Sequence, residues 1–236
     1  MVAAFPGATP AIPIMHDKFS VLFLGKADDH DCARALEFSQ RYFAPVAHCL
    51  GRWGEPLPVH AREWQGDYII SYLSRWVVPA ELLTRARKAA VNFHPASPHY
   101  PGIGCNNFAL YENAEEYGVT CHHMATQVDT GAIIAVRRFP VLPEDNVESL
   151  LKRTYENQIE LFLEIAPMMA AGRNLPMAGE SWTRRPFTRK EFNELFRITP
   201  DMPGQEIARR IRAVSYRSFQ PYIEIDGFRF EYVPPN

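Results

Sequence analysis

Residues 91–104 read VNFHPASPHYPGIG, and this stretch decides how the surrounding chain folds. An apolar strand ends here, because the proline- and glycine-rich residues that follow must leave the sheet as a loop. Asn92 and His94 are two positions apart, so their side chains emerge on the same face of an extended strand. The sequence VDTG at 128–131 supplies Asp129 as a third polar side chain that can meet them in space. An amide, an imidazole and a carboxylate at one end of a sheet are the groups that an acyl transfer needs.

Short apolar runs alternate with amphipathic segments over the first two thirds of the chain. This alternation is typical of an α/β fold with a Rossmann-like, mainly parallel, doubly wound sheet. We predict strands at 20–24, 45–50, 67–73, 90–94, 118–124 and 132–141, and helices at 31–42, 79–86 and 103–111.

The last third of the chain predicts a small α+β extension. A long helix should begin at the capping-box-like pair Asp145 and Glu148 and end at Pro167. Asp226-Gly227 is typical of a β-hairpin turn, and such a hairpin must pack on the main domain or on another subunit. The remaining boundaries that we predict are a flexible leader at 1–17, a catalytic domain at 18–180, a linker at 171–187, helices near 189–196 and 203–214, and the extension at 181–236.

Composition excludes several classes of function. The 236 residues carry a net charge of −2, which gives no basic face for nucleic acid. No apolar run approaches the length of a membrane span, and the start of the chain lacks the basic residues of a signal peptide. The four cysteines have no CxxC spacing, so we expect reduced thiols in a cytoplasmic protein and no metal site.

Other polar clusters have simpler interpretations. His122 and His123 would point to opposite faces of a strand, so a structural role, or a supporting role beside a site residue, is favoured over a shared metal ion. Lys26 follows the first strand, but no glycine-rich phosphate loop accompanies it. The basic pairs at 184–185 and 189–190 either meet phosphates or form a solvated patch, and the second is the more common case.

Four separated motifs, in this order and spacing, resemble the N10-formyltetrahydrofolate-dependent formyltransferases over roughly residues 20–170. The motifs are Asn92-x-His94-Pro95, Tyr100-Pro101-Gly102, Gly118-Val119-Thr120 and Asp129-Thr130-Gly131. The resemblance implies that Asn92 and His94 stabilise an oxyanion while Asp129 assists deprotonation of the attacking amine. It also implies that the folate co-substrate contacts Tyr72, Leu73, Arg75, Trp76, Met124, Gln127 and Val128, and that the acceptor contacts His99, Tyr100, Pro101 and Gly102.

Two features reduce the range of possible acceptors. Ala96-Ser97-Pro98 replaces the two leucines that often follow the His-Pro in the purine and tRNA enzymes. The segments at 183–192 and 211–216 and the closing hairpin look like sugar N-formyltransferases. These act on nucleotide-linked amino sugars in the synthesis of bacterial surface polysaccharide such as lipopolysaccharide O-antigen, and they commonly form homodimers.

Three alternatives stay open. Within enzymes, the acceptor could be another small amine such as N-hydroxyornithine, or methionyl-tRNA or glycinamide ribonucleotide. Outside enzymes, the chain could be a degenerate folate- or nucleotide-binding module.

Overall fold

A six-stranded sheet forms the centre of the computed structural model, which describes residues 18–234; the predicted leader at 1–17 lies outside this range. The spatial order of its strands is β2-β1-β3-β4-β5-β6, in which β5 alone runs antiparallel to the other five. The mainly parallel α/β fold predicted from the sequence is therefore confirmed. The strands are β1 (Val21–Lys26), β2 (Val46–Gly51), β3 (Gly66–Tyr72), β4 (Ala86–His94), β5 (Glu116–His123) and β6 (Ile133–Pro140).

Helices cover both faces of this sheet. The helices are α1 (His30–Tyr42), α2 (Val59–Arg62), α3 (Ala80–Leu83), α4 (Cys105–Tyr111), α5 (Val147–Ala170), α6 (Arg189–Leu195) and α7 (Gly204–Val214). Helices α1 and α5 pack on one face, while α2 and α3 pack on the other. No helix between residues 18 and 234 is long and apolar enough to cross a membrane.

The predicted start of the long helix is wrong. Asn146 is the N-cap, and it forms a capping box with Ser149. Asp145 is instead buried in the preceding turn, where its carboxylate accepts from the Leu142 backbone N–H and from Arg153. The helix also continues through Pro167 to Ala170, so the proline removes one backbone hydrogen bond near the C-terminus without ending the helix.

The helix predicted at 79–86 is also shorter than expected. It is a single turn at α3, and β4 begins at Ala86 instead of Ala90. Strand β4 pairs with β3 as far back as Ala86, which lies opposite Gly66, while Arg87 and Lys88 point to solvent. Strand pairing thus overrides the helical preference of the local sequence.

The C-terminal extension packs on the main domain through α7. The Asn107 side chain on α4 donates to the Ala213 carbonyl at 2.7 Å. A second sheet contains β7 (Arg197–Ile198), β8 (Tyr222–Ile225) and β9 (Phe228–Glu231). The hairpin turn has positive φ at Asp226 and Gly227, as a two-residue turn of this kind requires. The boundary at residue 181 stays a prediction.

Helix α5 supports the end of β4 that carries the polar side chains. Its Gln158 side chain donates to the Phe93 carbonyl at 2.6 Å, between the two predicted site residues of that strand. One turn further on, the fully buried Phe162 ring meets the rings of Tyr72 and Phe93 with centroids 5.6 and 5.1 Å apart. This packing fixes the strand against the core.

Phe162→Ala should lower the free energy of unfolding by about 3–5 kcal/mol, because it leaves a cavity among aromatic rings. Phe162→Leu keeps most of the volume and should cost less. Urea unfolding followed by circular dichroism measures both variants. An alanine variant as stable as the wild type would contradict the role given to this ring.

Candidate active site

A cavity of about 760 Å³ opens at the carboxyl ends of the parallel strands. Strand β1 lies between β2 and β3, so the order of the strands reverses there. Ligands of open α/β sheets bind in the crevice at such a point. Lys26 at the end of β1, Leu73 after β3 and His94 at the end of β4 all line this cavity.

Asn92, His94 and Asp129 come together at this cavity. His94 Nδ1 is 3.3 Å from Asp129 Oδ2, and both side chains are almost fully buried. Asp129 has a φ of +50° in the loop between β5 and β6, a left-handed conformation that aspartate tolerates. The Gly102 backbone N–H donates to Asp129 Oδ2 at 2.8 Å and thereby fixes the carboxylate.

His122 is a fourth member of this cluster, although the sequence predicted only a structural or supporting role for it and did not place it among the site residues. Its Nε2 is 3.3 Å from Asp129 Oδ1 and 3.0 Å from the Asn92 amide nitrogen. The pairing of β4 with β5 places His122 opposite Asn92, so the two side chains share one face of the sheet. Only the strand register reveals this proximity.

The hydrogen-bond network assigns the protons of the two rings. His94 Nε2 is 3.0 Å from the Tyr100 carbonyl, and His122 Nδ1 is 2.8 Å from the His123 carbonyl. Carbonyl oxygens only accept, so both nitrogens carry a hydrogen. A neutral ring then presents the lone pair of its other nitrogen to Asp129. The contact of His94 Nδ1 with Asp129 becomes attractive when the His94 ring takes up a proton, whereas the lone pair on His122 Nε2 accepts the Asn92 amide N–H.

Burial sets the resting charges of the cluster. Burial lowers the pKa of His94, although the Asp129 carboxylate opposes this shift. Burial alone would raise the pKa of Asp129, but His94, His122 and the Gly102 N–H together hold it below its usual value. A neutral imidazole beside a carboxylate is therefore the resting state at neutral pH.

Trp182 covers the two histidines, although it lies in the segment predicted to be a linker. Its ring stands edge-to-face with His94 and His122, with centroids 5.7 and 5.0 Å apart. The indole N–H donates to the Gly131 carbonyl at 2.8 Å, which joins the segment to the loop that carries Asp129. The segment thus forms one wall of the site and keeps water from the rings.

The predicted folate contacts lie mostly along the cavity. Leu73, Arg75, Trp76, Met124, Gln127 and Val128 line it, whereas the Tyr72 side chain points into the core. The predicted acceptor contacts are placed differently. Gly102 lines the cavity, but His99 is exposed outside it, and Tyr100 and Pro101 are buried outside it. Tyr100 packs on Tyr117 because the loop turns inward after Pro98. All these contacts stay predictions.

Comparison with known proteins identifies the domain that carries this site. The sequence profile of the formyl transferase family matches residues 57–166, which include the whole cluster except Trp182. This segment therefore resembles a formyl transferase domain. Methionyl-tRNA formyltransferase of Listeria monocytogenes is 28% identical over 154 residues, which are 64% of this chain and 48% of that relative. The chain thus spans about half the length of the curated relatives that it matches.

Solved structures share the fold over most of the chain. A sugar N-formyltransferase from Shewanella superposes with a TM-score of 0.73 at 18% identity, covering 90% of this chain and 96% of that one. An N-formyltransferase from Helicobacter canadensis, solved with folinic acid and dTDP-3-aminofucose, has a TM-score of 0.67 at 20% identity and covers 88% of this chain and 84% of that one. At these identities the likeness establishes the formyltransferase fold.

Trp182→Ala should raise the pKa of His94 towards the ordinary value of 6.5, because water would replace the indole and reduce the desolvation. Trp182→Phe keeps an apolar ring and should preserve most of the shift. Titration of the histidine ring signals by NMR measures it, with Trp64→Phe on the opposite face of the sheet as the control. An unchanged His94 pKa in Trp182→Ala would show that the indole does not desolvate the site.

Proposed function

We propose that this protein transfers a formyl group from N10-formyltetrahydrofolate to the amine of a nucleoside-diphosphate-linked amino sugar. The observation that carries the proposal is the buried cluster of Asn92, His94, Asp129 and His122 at the base of a large cavity within a formyl transferase domain. An amide donor beside a neutral imidazole and a carboxylate suits attack of an amine on a carbonyl carbon.

The cavity fits a folate donor. Its volume lies within the range of small-molecule sites, and most of its exposed lining is apolar. Leu73, Trp76, Met124 and Val128 all line the cavity, so apolar side chains are available to a flat pterin ring. The bound donor supplies a formyl carbon attached to nitrogen. The Helicobacter canadensis structure with folinic acid supports this assignment for the shared fold.

The cluster divides the chemistry between two side chains. Both nitrogens of His94 face protein groups, so we assign removal of the amine proton to the Asp129 carboxylate, which passes the proton to His94 Nδ1 at 3.3 Å. The resulting imidazolium gains a charge-assisted hydrogen bond to Asp129. Asn92 has a second amide N–H besides the one directed at His122, and we assign this N–H to the developing oxyanion. His122 orients the amide by accepting its first N–H.

An amino-sugar nucleotide is the acceptor class that the comparisons favour. Sugar N-formyltransferases match the chain nearly from end to end, and one of them was solved with dTDP-3-aminofucose. The tRNA enzyme matches over only about half of its length.

We further propose a cytoplasmic location, in agreement with four free cysteines, and a role in surface polysaccharide synthesis.

Asn92→Ala should reduce formyl transfer by about 10²–10³-fold through loss of an oxyanion donor. His94→Ala and Asp129→Ala should reduce it by about 10²–10⁴-fold through loss of the proton acceptor and its partner. Mass spectrometry of the acceptor detects the formylated product, and circular dichroism checks folding. His48→Ala, on an exposed part of β2, is the matched control. Near-wild-type turnover by any one of the three variants would remove that residue from the mechanism.

The acceptor class can be tested by thermal shift with nucleoside diphosphates and amino-sugar nucleotides, with and without folinic acid. Binding to the folded state raises the melting temperature by mass action. We expect amino-sugar nucleotides to stabilise the protein. If no nucleotide stabilises it while folinic acid does, a small-amine acceptor takes the place of the sugar.

We propose that the hairpin joins two copies of the chain. Strand β9 is the last strand of its sheet within the described residues, and Phe228 and Phe230 on it are 70% and 56% exposed. An exposed apolar edge strand readily pairs with another chain.

Phe228→Ser combined with Phe230→Ser should convert a dimer into a monomer in light scattering coupled to size exclusion. Met177→Ser, at another exposed apolar residue, should leave the dimer intact, and a dimer that survives the double substitution would exclude this interface.

A further inference from the structure

Three cationic side chains line the cavity away from the histidine cluster. Lys26 comes from the end of β1, Arg75 from the loop after β3, and Arg189 from the first turn of α6. Both guanidinium groups lie over the ring of Trp53, with the Cζ atoms of Arg75 and Arg189 at 4.7 and 5.1 Å from its centroid. Trp53 is 62% exposed, so the stack stands at the mouth of the cavity.

The two arginines lack the carboxylate partners that most arginines of this chain have. Between residues 18 and 234, no carboxylate lies within 4.0 Å of either guanidinium, and Lys26 alone of the three has one, Asp29 at 2.7 Å. The neighbouring basic pair is different, because Arg184 binds Glu112 and Arg185 binds Glu191. The pair Arg184-Arg185 is thus neutralised within the protein, whereas Arg189 of the pair at 189–190 lines the cavity.

Electrostatics leaves this wall of the cavity positive. Burial alone would lower the pKa of Lys26, and Arg75 lowers it further, but Tyr155 and Asp29 outweigh both and the pKa lies above its usual value. The ammonium therefore stays charged beside a guanidinium. Like charges that face one cavity repel each other, and an anion placed between them removes this repulsion.

Stacking prepares the arginines for an anion. A guanidinium that lies on an aromatic ring uses its face, so the N–H groups around its edge stay free. Those N–H groups match the spacing of phosphate and carboxylate oxygens and form charge-assisted hydrogen bonds with them. Trp53 thus holds the two guanidinium groups at the mouth of the cavity, and their N–H groups stay available for hydrogen bonds with an anion.

We infer that Lys26, Arg75 and Arg189 form an oxyanion-binding site, with Trp53 as the platform that orients the two arginines. The identity of the anion rests on the proposed function. The anion is either the diphosphate of the acceptor or the glutamate carboxylates of the donor, since both have the required oxygens. These two sources share one chemistry and are separated by experiment.

Isothermal titration with inorganic pyrophosphate and, separately, with folinic acid tests the site without turnover. Arg75→Gln and Arg189→Gln should each lower the affinity for one of these ligands by about tenfold or more, since a charged hydrogen-bond donor is lost. Trp53→Ala should weaken the same ligand although it removes no charge, and Trp53→Phe should restore part of the affinity. Arg173→Gln, at an exposed arginine outside the cavity, is the control.

The ligand that loses affinity shows whether the site holds the acceptor diphosphate or the donor carboxylates. Weaker pyrophosphate binding with unchanged folinic acid assigns the site to the acceptor diphosphate, and the reverse assigns it to the donor carboxylates. If all variants bind both probes as the wild type does, or if the wild type binds neither, the site is overturned. A formyl-transfer assay on the same samples judges the proposed function independently, and unfolding midpoints confirm that each variant is folded.

Discussion

The architecture of the site depends on one carboxylate, that of Asp129. Each of its oxygens faces a histidine nitrogen at 3.3 Å, and the Gly102 N–H binds one of them. A buried charge is tolerated only where hydrogen bonds or partners satisfy it. The Gly102 N–H meets part of that condition, and a proton on His94 Nδ1 supplies the carboxylate with a further charge-assisted hydrogen bond. The acid–base character of the cavity follows from this balance.

The fold supplies the geometry that this balance requires. Strand β4 presents Asn92 and His94, and the antiparallel partner β5 brings His122 to the same face. Helix α5 holds the strand through Gln158, and the chain from α5 to α6 returns to place Trp182 over the rings. Non-consecutive stretches of chain therefore enclose one proton-accepting cluster, and their packing shields the histidine rings from water.

Much of this arrangement was predictable from local sequence, and the rest needed tertiary contacts. Alternation along a strand placed Asn92 and His94 together, and a turn motif pointed to Asp129. His122 was missed because its role depends on the register between two strands, which no short pattern encodes. Trp182 was missed because proline- and glycine-rich surroundings suggest a linker, whereas its position comes from a long-range hydrogen bond to Gly131. The arginine stack on Trp53 also joins segments distant in sequence.

The most direct test of this account follows an isotopic label. N10-formyltetrahydrofolate carrying ¹³C in its formyl group is mixed with an amino-sugar nucleotide, and carbon NMR detects the formamide product. The wild type should move the label to the acceptor nitrogen, and Asp129→Asn, which keeps the shape but not the charge, should do so far more slowly. Equal transfer by Asp129→Asn, or a wild type that leaves the label on the donor with every amine offered, would contradict the central role of this carboxylate in formyl transfer.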